Sequence, residues 1–435
     1  MIKETAVDKI LYQVKKIIPK SVFEFFQPAY HRLLAWGGAM RYGFPSHGMK
    51  LIGVTGTKGK STVVYMITKI LEESGAKVAA IGSLGFKIKD KEWPNTLKQT
   101  MPGRFRLQKF LAEAKKADCD FVVLEVTSEG IKQYRHLGIK FDTAVFVNIH
   151  REHLENHGSF ENYIKAKQEL FKATKRVHVL NADEARISDF DKFPAEKKIT
   201  FGINRGDIRP TDVLANESKS EFKVDGQPVR LNIGGMFNVL NALGAWAVAT
   251  VYDVEASLIV EALSKIQSIP GRLEFIQKEP FGVVVDYAHT PDSLETVYKT
   301  LKPMNGRLIT VLGSCGGGRD KWKRPEFGVI ADRWADEIIL TDEDPYEEDP
   351  NQIISEIKSG ISNSQFSISK VQIILDRREA IKKAIEMAQP GDTVVITGKG
   401  SEISMAVAGN RKIPWSDRDI ARLALSSSNG SFLVH

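Results

Sequence analysis

Two kinds of hydrophobic spacing divide the chain. Over residues 5–18 the apolar positions Val7, Ile10, Leu11, Val14, Ile17 and Ile18 recur at helical intervals, and Pro19 ends that helix. An apolar and aromatic stretch from Phe23 to Phe44 follows, and Pro45-Ser46-His47-Gly48 reads as a linker. From residue 51 the pattern changes. Short apolar runs at Leu51–Thr55, Phe121–Leu124, Ala144–Val147 and Val177–Leu180 predict buried strands, with helical stretches between them, one over about 61–74. Residues 205–232 alternate and predict a small antiparallel patch. Helices near 237–251 and 256–266 lead to Ile269-Pro270-Gly271-Arg272, an expected hinge. A second strand series follows at Val283–Val285, Leu308–Val311, Glu337–Leu340, Gln372–Leu375 and Thr393–Ile396. Strands alternating with helices imply mostly parallel sheets covered on both faces. The expected fold is α/β, with a helical segment over 1–48, a central domain over 49–270 and a smaller domain over 271–435.

Composition narrows the class. The chain has 435 residues, room for two to four domains of roughly 100–200 residues. It is 42% hydrophobic and 26% charged, as ordinary globular proteins are. No apolar run reaches the roughly 18 residues of a membrane span, and the N-terminus lacks a signal-peptide core. Cys119 and Cys315 build neither a disulfide framework nor a Cys-rich metal site. A cytoplasmic monomer is the expectation. The net charge is +7, and residues 1–48 carry seven Lys and Arg against three Asp and Glu. The remainder is nearly balanced, which argues against a nucleic-acid binder. The basic N-terminal segment has two readings: its apolar face docks on the central domain, or it lies on a membrane surface. Docking is the commoner fate.

Gly56-Thr57-Lys58-Gly59-Lys60-Ser61-Thr62 follows a predicted strand and opens a predicted helix. Glycines let backbone N–H groups close around phosphate, a helix N-terminus favours its charge, and a lysine neutralises it. Ser61 suits a Mg²⁺ ligand. The general phosphate-loop rule asks for Gly at position 54, which is Val. At the end of the next strand, Glu125 faces the same sheet edge, where open α/β sheets bind ligands. It is a metal-ligand candidate, or a solvated strand-end carboxylate. His153 and His157 have the i, i+4 spacing of a metal pair, but a polar loop with satisfied histidines accounts for them equally.

The loop variant resembles the ATP-binding loop of the Mur ligase family, which joins amino acids to carboxylates with ATP. Asn148-Ile149-His150-Arg151-Glu152-His153-Leu154-Glu155-Asn156-His157-Gly158 is similar to that family's Thr-Asn-x-x-x-Asp-His-Leu-Asp-x-His-Gly, with Glu152 and Glu155 replacing both aspartates. The run Tyr163 to Phe171 resembles Tyr-x-x-Ala-Lys-x-x-Leu-Phe, Phe237-Asn238-Val239-Leu240-Asn241-Ala242 resembles Phe-Asn-x-x-Asn-Ala, and Gly271-Arg272-x-Glu274 resembles the family hinge. Asp286-Tyr287-Ala288-His289-Thr290-Pro291 matches Asp-Tyr-Ala-His-x-Pro, and Gly316 to Lys321 with Lys323-Arg324-Pro325 is a further family signature. The resemblance spans about residues 51–402.

It implies a P-loop ATPase domain followed by a Rossmann-like domain, and an acyl-phosphate mechanism needing ATP and two Mg²⁺ ions. The implied catalytic residues are Lys60, Glu125, His153 and Lys167. The implied metal ligands are Ser61, Glu125, His153 and a Lys167 carbamylated by CO₂. Apart from the family motif, Lys167 reads as a surface lysine on an amphipathic helix. Gly56 to Thr62, Asn238, Arg272 and Asp286 would hold ATP, with Asp286 at its ribose. Thr127, Ser128 and Arg135 would meet the acceptor, and Asp344, Tyr346 and Glu402 the incoming amino acid.

Within the family the motifs Thr341 to Pro350 and Gly398 to Glu402 point to the ligases that add the third residue of the peptidoglycan stem, on a muramoyl-peptide-like acceptor. Three departures stand out. Thr127-Ser128-Glu129 replaces Ser-Ser-His, removing a histidine on the substrate side. Tyr346 stands where diaminopimelate-adding enzymes have Arg, in a run crowded by Asp342, Glu343, Asp344, Glu347, Glu348 and Asp349, which favours a lysine-like amino acid. Residues 1–48 are too few for the usual uridine-nucleotide domain with its own core. The rival readings are another ligase of this superfamily, with a folate, poly-acidic or different acceptor, and a non-catalytic ATP-binding scaffold. Gly59-Lys60-Ser61-Thr62 differs from the Gly-Lys-Gly-Ser of folylpolyglutamate synthetases, and retention of Lys60, Glu125, His153 and Lys167 argues against a scaffold.

Overall fold

The computed structural model describes residues 20–97, 99–152, 154–318, 320–362, 369–409 and 411–429. The helix expected over 5–18 lies outside them, as does His153. The first described helix, α1 (Lys20–Arg41), packs on α3 (Arg104–Lys116). It turns its small residues Ala35 and Ala39 inward and leaves Leu33, Trp36 and Met40 in solvent.

The first large sheet has eight strands: β1 (Lys50–Thr55), β2 (Val78–Gly82), β3 (Gly85–Ile88), β4 (Lys91–Trp93), β5 (Phe121–Glu125), β6 (Thr143–Phe146), β7 (Val177–Asn181) and β8 (Lys197–Phe201). Their order is β4-β3-β2-β5-β1-β6-β7-β8. All adjacent pairs are parallel except the β2–β3 and β3–β4 pairings at one edge. Strands such as Phe121–Glu125 and Thr143–Phe146 are buried along their whole length, as strands covered on both faces must be. One face is closed by α2 (Lys60–Glu73) packed against α8 (Met236–Val251), with Ile67, Ile70, Leu243 and Trp246 in the core. The other face carries α3 and α6 (Phe160–Ala173), with Phe110, Phe146, Phe171 and Phe190 between the layers. The sheet is extended on both sides of β1. That makes the carboxyl end of β1, between β5 and β6, a switch point where a crevice opens.

The antiparallel patch is a three-stranded sheet of β9 (Pro210–Ala215), β10 (Ser220–Val224) and β11 (Gln227–Leu231). The second large sheet contains β12 (Glu274–Gln277), β13 (Gly282–Val285), β14 (Leu308–Leu312), β15 (Glu337–Leu340), β16 (Val371–Ile373) and β17 (Thr393–Ile396), in the order β12-β13-β17-β14-β15-β16. Only β12 runs antiparallel to its neighbour. Helices α10 (Pro291–Leu301), α11 (Lys323–Trp334) and α12 (Pro350–Lys358) cover one face, and α13 (Arg377–Glu386) and α14 (Asp417–Asn429) the other. A hairpin of β18 (Ser404–Val407) and β19 (Arg411–Pro414) follows.

The fold is thus α/β with mostly parallel sheets, as the spacing predicts. Strands β2, β8 and β12 and the hairpins β3–β4 and β18–β19 were not expected. The strand expected over Gln372–Leu375 instead spans Val371–Ile373. Ile374 lies just past the strand, its N–H still donating to the Leu340 carbonyl of β15 at 3.0 Å.

Candidate active site

The loop after β1 is built as its glycines require. Gly59 caps α2 with φ 76°, a left-handed conformation that favours glycine. A Cβ there would lie 2.5 Å from Asn241 Oδ1, so a side chain is also excluded by space. Asn148, just past β6, ties the loop down. Its Oδ1 accepts from Thr57 N at 3.0 Å and Lys58 N at 2.8 Å, and its Nδ2 donates to the Lys58 carbonyl at 3.1 Å. Thr57 Oγ1 meets the Tyr163 hydroxyl at 3.1 Å and accepts from His150 N at 2.9 Å. Lys60 donates to the Thr57 carbonyl at 2.8 Å. Gly56 to Thr62 thus form one cradle at the N-terminus of α2, where backbone donors and the helix dipole favour phosphate.

Three further candidates converge on this cradle. Ser61 Oγ donates to Glu125 Oε2 at 3.1 Å, and Ser83 N donates to the same oxygen at 2.9 Å. Gly82 makes room for the carboxylate, since a Cβ there would sit 2.7 Å from Oε2. Lys167, on α6, is 2% exposed, not the surface lysine its helix position suggests. Its Nζ donates to the Gly56 carbonyl at 2.7 Å and lies 4.7 Å over the Tyr163 ring. Burial, with Lys60 nearby, pushes this amine well below the usual lysine range, toward its neutral form. Arg272 Nη2 reaches Ser61 Oγ at 3.4 Å from the hinge, and its guanidinium lies 4.4 Å over the Tyr287 ring.

A hydroxyl and a carboxylate 3.1 Å apart beside a phosphate cradle suit Mg²⁺, which takes few protein ligands and shares substrate phosphate oxygens. Among the described residues no three His, Cys, Asp or Glu side chains converge as an all-protein cage. The expected i, i+4 metal pair has its first member, His153, outside the described residues. His157 is placed otherwise: its Nε2 lies 3.2 Å from Ser128 Oγ and its ring packs edge-on against Tyr163.

The other candidates fall into three neighbouring groups. Asn238 donates to the Gly234 carbonyl at 2.8 Å and accepts from Asn241 at 3.3 Å, one residue removed from Gly59. Asp286 lies at the end of β13 and pins the hinge, accepting from Leu273 N and Ala288 N at 2.7 Å each. Its two oxygens thus serve the backbone before any ribose. Thr127 caps α4 (Ser128–Lys132) by accepting from Gly130 N at 3.1 Å. Thr127 and Ser128 follow Glu125 by two and three residues. Arg135 is buried, donates to the Met101 carbonyl and, at 2.7 Å, to Gln133 Oε1, and keeps its Nε without a partner. Burial, reinforced by Arg104, lowers this guanidinium to about 10.

Asp344, Tyr346 and Glu402 gather beyond the hinge. Lys399, fully buried, bridges Asp344 Oδ2 at 2.8 Å and Glu402. Tyr287 donates to Glu402 Oε1 at 3.3 Å. A continuous path of contacts therefore runs from Ser61 through Arg272, Tyr287 and Glu402 to Lys399 and Asp344. Tyr346 has a left-handed backbone, φ 54°, and its ring sits against Gly317, where a Cβ would be 3.3 Å away. The acidic run is less crowded with free charge than its sequence implies. Glu348 is clamped by Arg324 and Lys321 at 3.1 Å, Glu347 accepts from Gly409 N at 2.8 Å, and Asp349 caps α12. Glu343 is buried beside Gly398 and pushed up to about 7 chiefly by burial, and Asp342 is pushed up to about 6 by the same cause.

Besides Arg272 on Ser61, contacts that join the two halves across this site include Lys58 with Asp292 at 3.3 Å, Glu152 with His289 at 3.2 Å, and Asp320 N donating to Glu155 Oε2 at 2.6 Å. The glutamates that replace the motif's aspartates are both used here. Asn148, Tyr163, His289 and Lys399 were not singled out from the sequence. All four stand inside quoted motifs, which was the one signal available.

The chain matches the Mur ligase middle domain over residues 54–249 and the Mur ligase glutamate ligase domain over 271–400. It is 37% identical over 398 residues to UDP-N-acetylmuramoyl-L-alanyl-D-glutamate–2,6-diaminopimelate ligase 1 of Clostridium acetobutylicum, covering 89% of this chain and 80% of that protein. It is 36% identical over 409 residues to the UDP-N-acetylmuramyl-tripeptide synthetase of a Roseiflexus species, covering 88% and 80%. A solved structure of a UDP-N-acetylmuramoyl-L-alanyl-D-glutamate–2,6-diaminopimelate ligase superposes with a TM-score of 0.63 at 32% identity, covering 92% of this chain and 83% of that one. With two matched domains joined at a hinge that delivers Arg272 to the phosphate loop, the chain belongs to the Mur ligase family of ATP-dependent amide-forming ligases.

Proposed function

We propose that this ligase adds an amino acid to a muramoyl-peptide-like carboxylate, using the division into segments 1–48, 49–270 and 271–435. The observation that carries the reading is the convergence of Lys60, Ser61, Glu125, Lys167 and Arg272 at the carboxyl end of β1. An acceptor carboxylate oxygen attacks the γ-phosphorus of ATP, ADP leaves, and an acyl phosphate forms. The amine of the amino acid attacks the acyl carbon, phosphate leaves, and the amine loses a proton. Two anions must meet in the first step. Lys60 and Arg272 are placed to offset that repulsion, and the cradle N–H groups hold the phosphate chain. Ser61 and Glu125, with His153 and modified Lys167, would hold Mg²⁺, which supplies charge neutralisation when bound.

Lys167 is set up for carbamylation. Its neutral amine attacks CO₂, a C–N bond forms, one proton is released, and the neutral group becomes a carbamate anion. Desolvation by burial, with Lys60 nearby, outweighs the carbonyl and ring contacts that would favour an ammonium, and supports this reading.

The amino acid we assign is lysine-like. A distal carboxylate calls for a two-pronged cationic partner, and Tyr346 brings none. Lys399 is already shared between Asp344 and Glu402. Glu343, with Asp342 beside it, is an acid of this run left to meet a distal amine. The relatives named for diaminopimelate mark the competing substrate. The test is ADP release from the full chain with a UDP-muramoyl dipeptide and a panel of amino acids. Release that depends on both partners, with lysine ahead of meso-diaminopimelate, is expected. Preference for meso-diaminopimelate overturns the amino-acid assignment, and release independent of the muramoyl dipeptide overturns the acceptor assignment.

A further inference from the structure

Helix α1 is packed the opposite way from most surface helices. Its inward face is made of Ala35, Gly38 and Ala39, which let it approach α3 closely. Its outward face carries Leu33 at 73%, Trp36 at 47% and Met40 at 62% exposure. These positions, spaced 3 and 4 apart, lie on one stripe. Phe105 of α3, 42% exposed, extends the patch: its ring is 3.9 Å from where a Gly37 Cβ would stand. Contiguous exposed apolar surface of this kind marks an interaction site, unlike single exposed residues.

The charges around the patch identify the partner. Arg32 and Arg41 flank the α1 stripe, and Lys109 lies one turn from Phe105 on α3. The acid beside them is Glu113, already paired with Lys109 at 3.7 Å. Two copies of this face would oppose their own arginines, which disfavours a symmetric dimer. Aromatic and aliphatic side chains inside a cationic rim are the composition of a helix that lies in an anionic lipid interface.

We infer that the α1–α3 face seats the enzyme on an anionic membrane surface. The inference is independent of which acceptor the ligase uses. The test is sedimentation of the full chain with vesicles of phosphatidylcholine containing one-quarter phosphatidylglycerol, against phosphatidylcholine alone, with light scattering of the free protein. Binding to the anionic vesicles that falls at least tenfold at 0.5 M salt is expected. The variant L33Q/W36Q/M40Q, and separately R41E/K109E, should each bind at least tenfold more weakly. The second variant leaves the apolar stripe in place and guards against misfolding of the first. No sedimentation at low salt, binding by either variant equal to that of the parent protein, or a dimer in solution that the triple variant dissociates would overturn the proposal.

Discussion

Lys167 is an amine whose charge burial and a neighbouring cation disfavour. It touches the Gly56 carbonyl and the Tyr163 ring, and its neighbour Lys60 repels a second cation. A lysine retained only as core filling would be replaceable, so the account makes a sharp demand. Lys167→Ala should lose activity by at least 100-fold and regain part of it in millimolar acetate, which supplies the missing carboxylate. An unrescued variant of native stability would argue that the residue works as an amine. Glu343 makes a different prediction. Its carboxyl is raised to about 7, so between roughly pH 4.5 and 7 the folded chain keeps a proton that the unfolded chain has released. Stability from this group is therefore present at low pH and lost as pH rises through 7. Glu343→Gln carries no ionisable group there. Between pH 5 and 8 it should gain about 1–3 kcal/mol relative to the parent. Parallel melting-temperature profiles of the two proteins would refute the buried-carboxyl assignment.

At the scale of elements, the phosphate loop depends on a residue from a different strand. Asn148 supplies the acceptor for two loop N–H groups and is itself held by the Lys58 carbonyl. Asn148→Ala takes the side-chain acceptor from Lys58 N, at about 1–3 kcal/mol, and leaves Thr57 N only the residue-148 carbonyl at 3.1 Å. The loop should then lose its shape rather than its charge. The expected outcome is a KM for ATP about tenfold higher, measured by ADP release, with melting temperature lowered by a few degrees. An unchanged KM would mean that the loop holds itself. The same element scale shows what the sequence could and could not reveal. Buried parallel strands such as Val283–Val285 and Thr393–Ile396 announce themselves, because burial on both faces requires continuous apolar runs. Strand β2 contains two alanines, and β8 begins with two exposed lysines, so neither shows that signature. The hairpins β3–β4 and β18–β19 sit at edges, where polar side chains are free to face water. The site residues were legible through motifs and their order. Their partners were not, because Asn148 meets Lys58 across 90 residues and Arg272 meets Ser61 across 211. The acidic run misled in the other direction. Its carboxylates read as one negative field, but Glu347, Glu348 and Asp349 are spent on a backbone N–H, two cations and a helix cap.

In the whole molecule, the two large sheets face one cleft, bridged by Lys58–Asp292, Glu152–His289 and Glu155–Asp320. Each bridge pairs a residue from a loop near the phosphate cradle with one from the second half, beyond Arg272. The contact path from Ser61 through Arg272 and Tyr287 to Glu402 crosses the same cleft. This arrangement puts the phosphate cradle on one side and the Lys399, Asp344 and Glu402 cluster on the other. The acceptor carboxylate then has to be activated between them. That is the central claim, and oxygen transfer tests it most directly. An acceptor labelled with ¹⁸O in its terminal carboxylate is turned over with ATP and the preferred amino acid, and the products are weighed by mass spectrometry. The account predicts ADP, and one ¹⁸O atom in the released phosphate for every amide formed. Unlabelled phosphate, or AMP in place of ADP, would contradict it.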